Sequence, residues 1–169
     1  MANTYVKIAS VTVGSGGAAS MNFSSIPATY TDLKLVASLR SNRAGNVKDT
    51  IDLKINNVTT TLSQKYLQGN GSGASSGSLA NYWGETDAAT ATASVFGNME
   101  FYFPNYASAN YKSFSIDTVS EDNATLSIAE LLAGLWSTTT AMNQLTLLPV
   151  SGTAWVQYSS ATLYGIKSS

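Results

Sequence analysis

The sequence predicts an all-β protein, an antiparallel β-sandwich of the jelly-roll type. Three observations support this fold class. Apolar and polar residues alternate with a period of two in several segments, turn-forming residues separate those segments, and no run of helical period lies between successive ones. A parallel α/β sheet would need such helical runs. The 169 residues fit one domain, residues 1–169.

The clearest strands place large apolar side chains on one face and polar side chains on the other. We expect three such faces to meet in one core: Leu33, Leu35 and Leu39; Ile51, Leu53 and Ile55; Met99, Phe101 and Phe103. Phe114 and Ile116 belong to a further alternating segment. Additional strands are expected at residues 5–13, 18–23, 143–148 and 155–166, which are rich in residues that favour strands.

Residues 127–136 fit two interpretations. Helical spacing is followed by Ile128, Leu131, Leu132 and Leu135, and Ser127 with Glu130 matches a capping box. The segment is short, and a short apolar run does not separate helix from strand by period alone. A strand is favoured here, with a helix as the alternative.

Two stretches of low complexity are interpreted as long loops within the domain. Residues 69–78 are almost all Gly and Ser, which favours a flexible polar loop, and residues 86–94 are rich in Ala and Thr. Long loops in compact domains are often functional or disordered.

The composition argues against most enzyme classes. The chain has no cysteine and no histidine, which removes thiolate ligands, disulfides and the commonest general base. Charged residues are only 11% of the chain and the net charge is −1. The composition therefore predicts no basic surface that would bind nucleic acid or an anionic membrane. We expect no enzymatic activity, no cofactor and no metal. A surface of this kind also favours association into a homo-oligomer.

The carboxylates offer two further possibilities, a glycosidase pair and a calcium site. The candidates for a pair include Glu85 with Asp87, Glu100, Asp117 and Glu130; solvated or ion-paired strand faces explain them better. Residues 121–123 offer three consecutive oxygen-bearing side chains, as a calcium loop would, but an Asx-type turn between strands is the favoured explanation.

Aromatic residues beside the loops are the candidate contact residues. Tyr82 and Trp83 follow the Gly/Ser stretch, and Tyr106 and Tyr111 flank a short polar segment. Exposed aromatics can anchor a protein interface or stack on sugars. The alternative, which is the favoured explanation, is that they pack at the ends of the sandwich.

Several segments along nearly the whole chain resemble a family of phage virion proteins common in phages of aquatic bacteria. They are residues 11–18, 23–35, 66–71, 102–106, 133–137 and 163–166. The matching motifs are structural, and no catalytic residue is carried over.

The resemblance implies a virion structural protein without enzymatic activity. The leading interpretation is a capsid decoration or cement protein on the outer surface of a phage head, bound to the major capsid protein and to copies of itself, with a homotrimer preferred by analogy. The alternative is a receptor- or glycan-binding module of a tail fibre or appendage, whose partner would be a host-surface glycan. The single short chain without coiled-coil heptads or shaft repeats favours decoration.

Overall fold

The computed structural model describes residues 4–124 and 127–167, and within these ranges the chain is all β, with no helix. Twelve strands were found. They are β1 (Tyr5–Thr12), β2 (Met21–Phe23), β3 (Asp32–Leu39), β4 (Lys48–Ile55), β5 (Leu62–Gly69), β6 (Ala74–Gly77), β7 (Glu85–Asp87), β8 (Gly97–Phe103), β9 (Lys112–Glu121), β10 (Ser127–Trp136), β11 (Leu145–Pro149) and β12 (Ser160–Ile166).

The strands form two antiparallel sheets that pack as a sandwich. The large sheet has eight strands in the order β1-β12-β3-β8-β9-β10-β5-β6, and the small sheet has four in the order β2-β11-β4-β7. Every pair of neighbouring strands runs antiparallel. The predicted β-sandwich is therefore confirmed.

The core lies between the two sheets, and the three apolar faces expected from the sequence all reach it. Leu33, Leu35 and Leu39 on β3, the Ile51, Leu53 and Ile55 set on β4, and Met99, Phe101 and Phe103 on β8 are fully buried in one cluster. Burial of each such side chain contributes about 1.5–3 kcal/mol.

Two glycines let aromatic rings pack closely against the core-facing side of the large sheet. A Cβ on Gly134 of β10 would lie 2.4 Å from the ring of Phe114, and a Cβ on Gly165 of β12 would lie 2.3 Å from Tyr30. Such distances are impossible for real atoms, so only glycine lets the rings lie flat on these strands.

The structure decides the ambiguous segments. Ser127–Trp136 is a strand, as favoured, with strict alternation of exposed and buried residues. The prediction of a loop at residues 69–78 is wrong. These residues contain the turn and the second strand of the β5–β6 hairpin. Gly71 has a φ of 80° while Ser72 does not have a positive φ, the pattern of a type II′ turn, which suits Gly at its first central position. The loop at residues 86–94 begins inside β7.

The remaining predicted strands are shorter than expected. Residues 18–20 and 155–159 lie outside regular strands, and Ala18 pairs with Trp155 in an isolated bridge. Trp155 is fully buried and donates its indole N–H to the Leu147 carbonyl at 3.1 Å. The segment looks like a strand in the sequence because Trp155 packs at a corner of the sandwich, where the regular pairing of strands is interrupted.

Candidate functional site on the open face of the large sheet

Three of the four aromatics expected as contact residues are buried. Tyr82, Trp83 and Tyr106 retain at most 5% of their surface, so these three are not available as contact residues. Tyr111 is 63% exposed and remains available to a partner. The packing alternative therefore holds for three of the four.

The buried aromatics pack in two places: Tyr82 and Trp83 against β9 and β10, and Tyr106 just beyond the end of β8. Tyr82 donates its hydroxyl hydrogen bond to Glu130, and Tyr106 donates to the Pro27 carbonyl. The ring of Trp83 packs at 5.5 Å from that of Phe114. Burial is the main cause that raises the pKa of Tyr82, with its hydrogen bond to Glu130 second, so this phenol stays protonated.

Three of the carboxylates that could form a glycosidase pair, Glu85, Glu100 and Glu130, have structural partners. Glu130 is buried and also accepts from the Glu85 amide and the Thr118 hydroxyl, each at 2.9 Å. Glu85 forms an ion pair with Lys48 at 2.6 Å, yet burial raises its pKa. Glu100 forms an ion pair with Lys34 at 2.7 Å across the open face.

The acidic segment at residues 121–123 forms a turn. The backbone N–H of Ala124 donates to Asp122 at 2.9 Å, which is the hydrogen bond of an Asx turn, and the N–H of Asn123 donates to Glu121 at 2.7 Å. Within residues 4–124 and 127–167, no group of three or more metal-binding side chains was found.

One face of the large sheet packs on the core, and the other is open. On this open face, β5, β9 and β10 carry an exposed apolar surface, which we call the leucine patch. It consists of Leu67, Val119, Ala129, Leu131, Ala133 and Leu135. Leu131 and Leu67 lie directly opposite each other across β10 and β5 and are 58% and 54% exposed. Exposed apolar surface of this kind marks interaction sites.

A shallow groove of about 680 Å³ runs beside the leucine patch. Leu67, Leu131 and Ala133 line one part of it, and Tyr102 and Pro104 line another. Two single charges border the leucine patch: Asp117 on β9 lies opposite Leu131, and Lys65 on β5, which also lines the groove, lies opposite Ala133. An apolar centre with a polar border is the usual anatomy of a protein interface.

The opposite half of the open face carries tyrosines, which we call the tyrosine platform: Tyr5, Tyr102 and Tyr164. The rings of Tyr5 and Tyr164 meet edge to face at 6.4 Å, and the Lys34 ammonium lies 5.9 Å from the Tyr5 ring centre. Tyr102 donates to Asp32 at 2.8 Å, which raises its pKa.

The sequence reasoning missed the leucine patch, although the signal was present. If residues 127–136 form a strand with Ile128, Leu132 and Trp136 facing inward, then Leu131 and Leu135 must face outward. The helical alternative obscured this, because helical spacing would place Leu131 and Leu132 on the same buried side.

Comparisons with known proteins leave the family open. No protein-family model matches the chain, and no curated protein matches it. A crystal structure of a protein of unknown function from Shewanella oneidensis MR-1 aligns over 98% of this chain and 77% of that chain, with 12% identity and a TM-score of 0.28. No helix that could span a membrane was found within the described ranges.

Proposed function

We propose that this chain is a non-enzymatic virion structural protein, a capsid decoration or cement protein on the outer surface of a phage head. The observation that carries the proposal is the leucine patch, a contact surface on a rigid sheet that faces away from the core. The resemblance of the chain to phage virion proteins supports the location. The partner is the major capsid protein, and the homotrimer stays a prediction.

We also propose a jelly-roll core extended by two insertions. Strands β1-β12-β3-β8 face β2-β11-β4-β7, and from β1 to β4 the chain alternates between the two sheets. That order supports the eight-stranded jelly roll. The β5–β6 and β9–β10 hairpins then lengthen one sheet beyond the core, and these added strands bear the leucine patch.

The physical basis of attachment is burial of apolar surface repeated many times. Burying one exposed leucine contributes about 1.5–3 kcal/mol before the entropy of binding is subtracted. Each junction is therefore weak, but copies linked to one another around a closed shell bind with high avidity. Because the leucine patch itself carries no charge, attachment should depend only weakly on salt.

The test combines location with a variant of the leucine patch. Cryo-electron microscopy or antibody labelling of the virion is expected to place the protein on the head. In a binding assay with stripped heads, Leu131→Glu should lower affinity at least about tenfold, since it buries an unpaired charge. Val150→Glu is the matched control, because Val150 is 48% exposed but lies outside the leucine patch. Label confined to the tail, or equal loss from both variants, would overturn the proposal.

The tyrosine platform favours one second candidate, a receptor- or glycan-binding module of a tail appendage. Tyr5 is 51% exposed and lies beside the hydrogen-bonding groups of Lys34, an arrangement that suits stacking on a sugar ring. Under this alternative, host-surface polysaccharide should bind in a glycan array, and Tyr5→Ala should abolish binding while Leu131→Glu leaves it intact. Tyr111→Ala would test the one predicted contact residue that is exposed.

A further inference from the structure

The two edges of the large sheet differ in how they are protected. At one edge, β1 carries Lys7 and a register shift between Lys7 and Ala9, both of which discourage another strand from adding. At the other edge, β6 has regular pairing to β5 and no neighbour on its outer side within the described residues. It has neither proline nor charge.

The outward backbone groups of β6 can be assigned from the hairpin. The Asn70 amide donates to the Gly73 carbonyl at 3.1 Å, so this is a hydrogen-bonded pair. In an antiparallel ladder hydrogen-bonded and non-hydrogen-bonded pairs alternate. Ser75 and Gly77 therefore direct their backbone groups to β5, and Ala74 and Ser76 direct theirs outward.

The edge is held in place before any partner arrives. At the turn, the Asn70 side chain accepts from the amides of Ser72 and Gly73 at 3.1 and 2.9 Å. At the base, the Ser78 hydroxyl donates to the Gln64 carbonyl at 2.8 Å. A preorganised strand loses little entropy on pairing.

We propose that two copies of this chain pair through β6, antiparallel about a two-fold axis, to form one continuous sheet. Ser75 faces its own copy on the axis, and Ala74 exchanges backbone hydrogen bonds with Ser76 of the second copy. The contact has about four such bonds.

The absence of charge near this edge identifies a second copy of the chain as the partner of β6. In a two-fold contact the same short strand meets itself, so a charge close to the axis would lie near its own copy and be repelled by it. Residues 69–84 contain no charged side chain, and the net charge of the chain is −1. The leucine patch, beginning with Leu67 beside Ser76, then continues across the junction on one face.

Single cysteines give the sharpest test, because the natural chain has none. The Ser75 pair would be non-hydrogen-bonded, with Cα atoms about 4.5 Å apart, a separation that a disulfide accepts. Ser75→Cys should therefore form a disulfide-linked dimer in a redox buffer, with a yield at least about tenfold above two controls. Ser76→Cys lies on the same strand but off the axis, and Ser10→Cys is exposed on the β1 edge.

Light scattering on the full chain provides the second readout. The unmodified protein is expected to form dimers as concentration rises, whereas the homotrimer preferred by analogy would give three-fold particles. Ser76→Pro should lower self-association at least about tenfold, because proline removes one outward N–H and is tolerated on edge strands. An unchanged melting temperature would show that the variant is folded.

Equal cross-linking of Ser75→Cys and Ser10→Cys, or self-association that Ser76→Pro leaves unchanged, would overturn β6 pairing. The capsid proposal is tested separately by Leu131→Glu, so either can fail alone.

Discussion

At the scale of single residues, Glu130 is the centre of a buried polar cluster. Its carboxylate accepts from Tyr82, the Glu85 amide and Thr118. Glu130→Ala leaves three buried donors without an acceptor and should lower the free energy of unfolding by more than about 3 kcal/mol. Glu130→Gln keeps an acceptor oxygen and lets the Tyr82 hydroxyl accept instead, so it should cost about 1 kcal/mol or less. Urea unfolding measures both, and equal losses would contradict this role.

A second prediction concerns pH and Asp87, which is fully buried and has one carboxylate oxygen without a hydrogen bond. Burial raises its pKa above the ordinary 3.8, against the opposing effects of Ser120 and Arg40. A carboxyl whose pKa is higher in the folded state favours folding most below its unfolded pKa, and this contribution is lost as pH rises through the folded pKa.

Asp87→Asn removes that titration while keeping the shape of the side chain. The stability of the variant relative to the natural protein should therefore increase as pH rises from about 3.8 through the raised pKa of Asp87. Denaturant midpoints measured across this interval test the prediction, and parallel curves for the two proteins would contradict it.

The candidate contact residues show what residue patterns cannot predict. Tyr82, Trp83 and Tyr106 follow turn-forming residues, which correctly indicated chain outside regular strands. Their burial depends on partners far along the chain: Glu130 lies 48 residues from Tyr82, and Pro27 lies 79 residues from Tyr106. Local period and composition hold no information about such contacts.

At the scale of elements, one arginine organises the segment between β7 and β8. The Arg40 side chain packs against this segment and is buried. It donates to four carbonyls, those of Thr92 at 2.7 Å, Val95 at 2.9 Å, Ala89 at 3.3 Å and Ala91 at 2.8 Å. The planar fork reaches groups that a lysine ammonium cannot reach together.

Arg40→Lys should therefore loosen residues 88–96 and destabilise the fold by about 1–3 kcal/mol. Hydrogen–deuterium exchange is expected to rise in peptides from this segment first. Arg43→Lys is the matched control, because the Arg43 guanidinium donates to a single carbonyl, that of Lys48 at 3.1 Å. Unchanged exchange in Arg40→Lys would contradict the assignment.

The elements that the sequence predicts best are those with one buried and one wet face. β3, β4 and β8 alternate cleanly, so their period indicates both the strand and its core face. The β5–β6 hairpin was missed because β6, Ala74–Gly77, has no buried apolar residue to produce a pattern. Its pairing depends on the turn at Gly71, on backbone hydrogen bonds, and on the side chains of Asn70 and Ser78.

At the scale of the whole molecule, the sandwich followed from the sequence, whereas the unequal size of its sheets did not. Which strands become neighbours depends on packing between distant segments. The leucine patch exists only because β5 and β10 lie side by side, and Leu67 and Leu131 are 64 residues apart. A site assembled in this way is visible only once the strand order is known.

The pairing of β1 with β12 has a consequence for synthesis. Tyr5 lies opposite Ile166, and the Lys167 amide donates to the Thr4 carbonyl at 3.0 Å. On the ribosome, β1 is the first strand of this domain to emerge and β12 is the last. The large sheet can therefore be completed only after all the other strands have been made, and this long-range pairing is expected to be a slow, late step of folding.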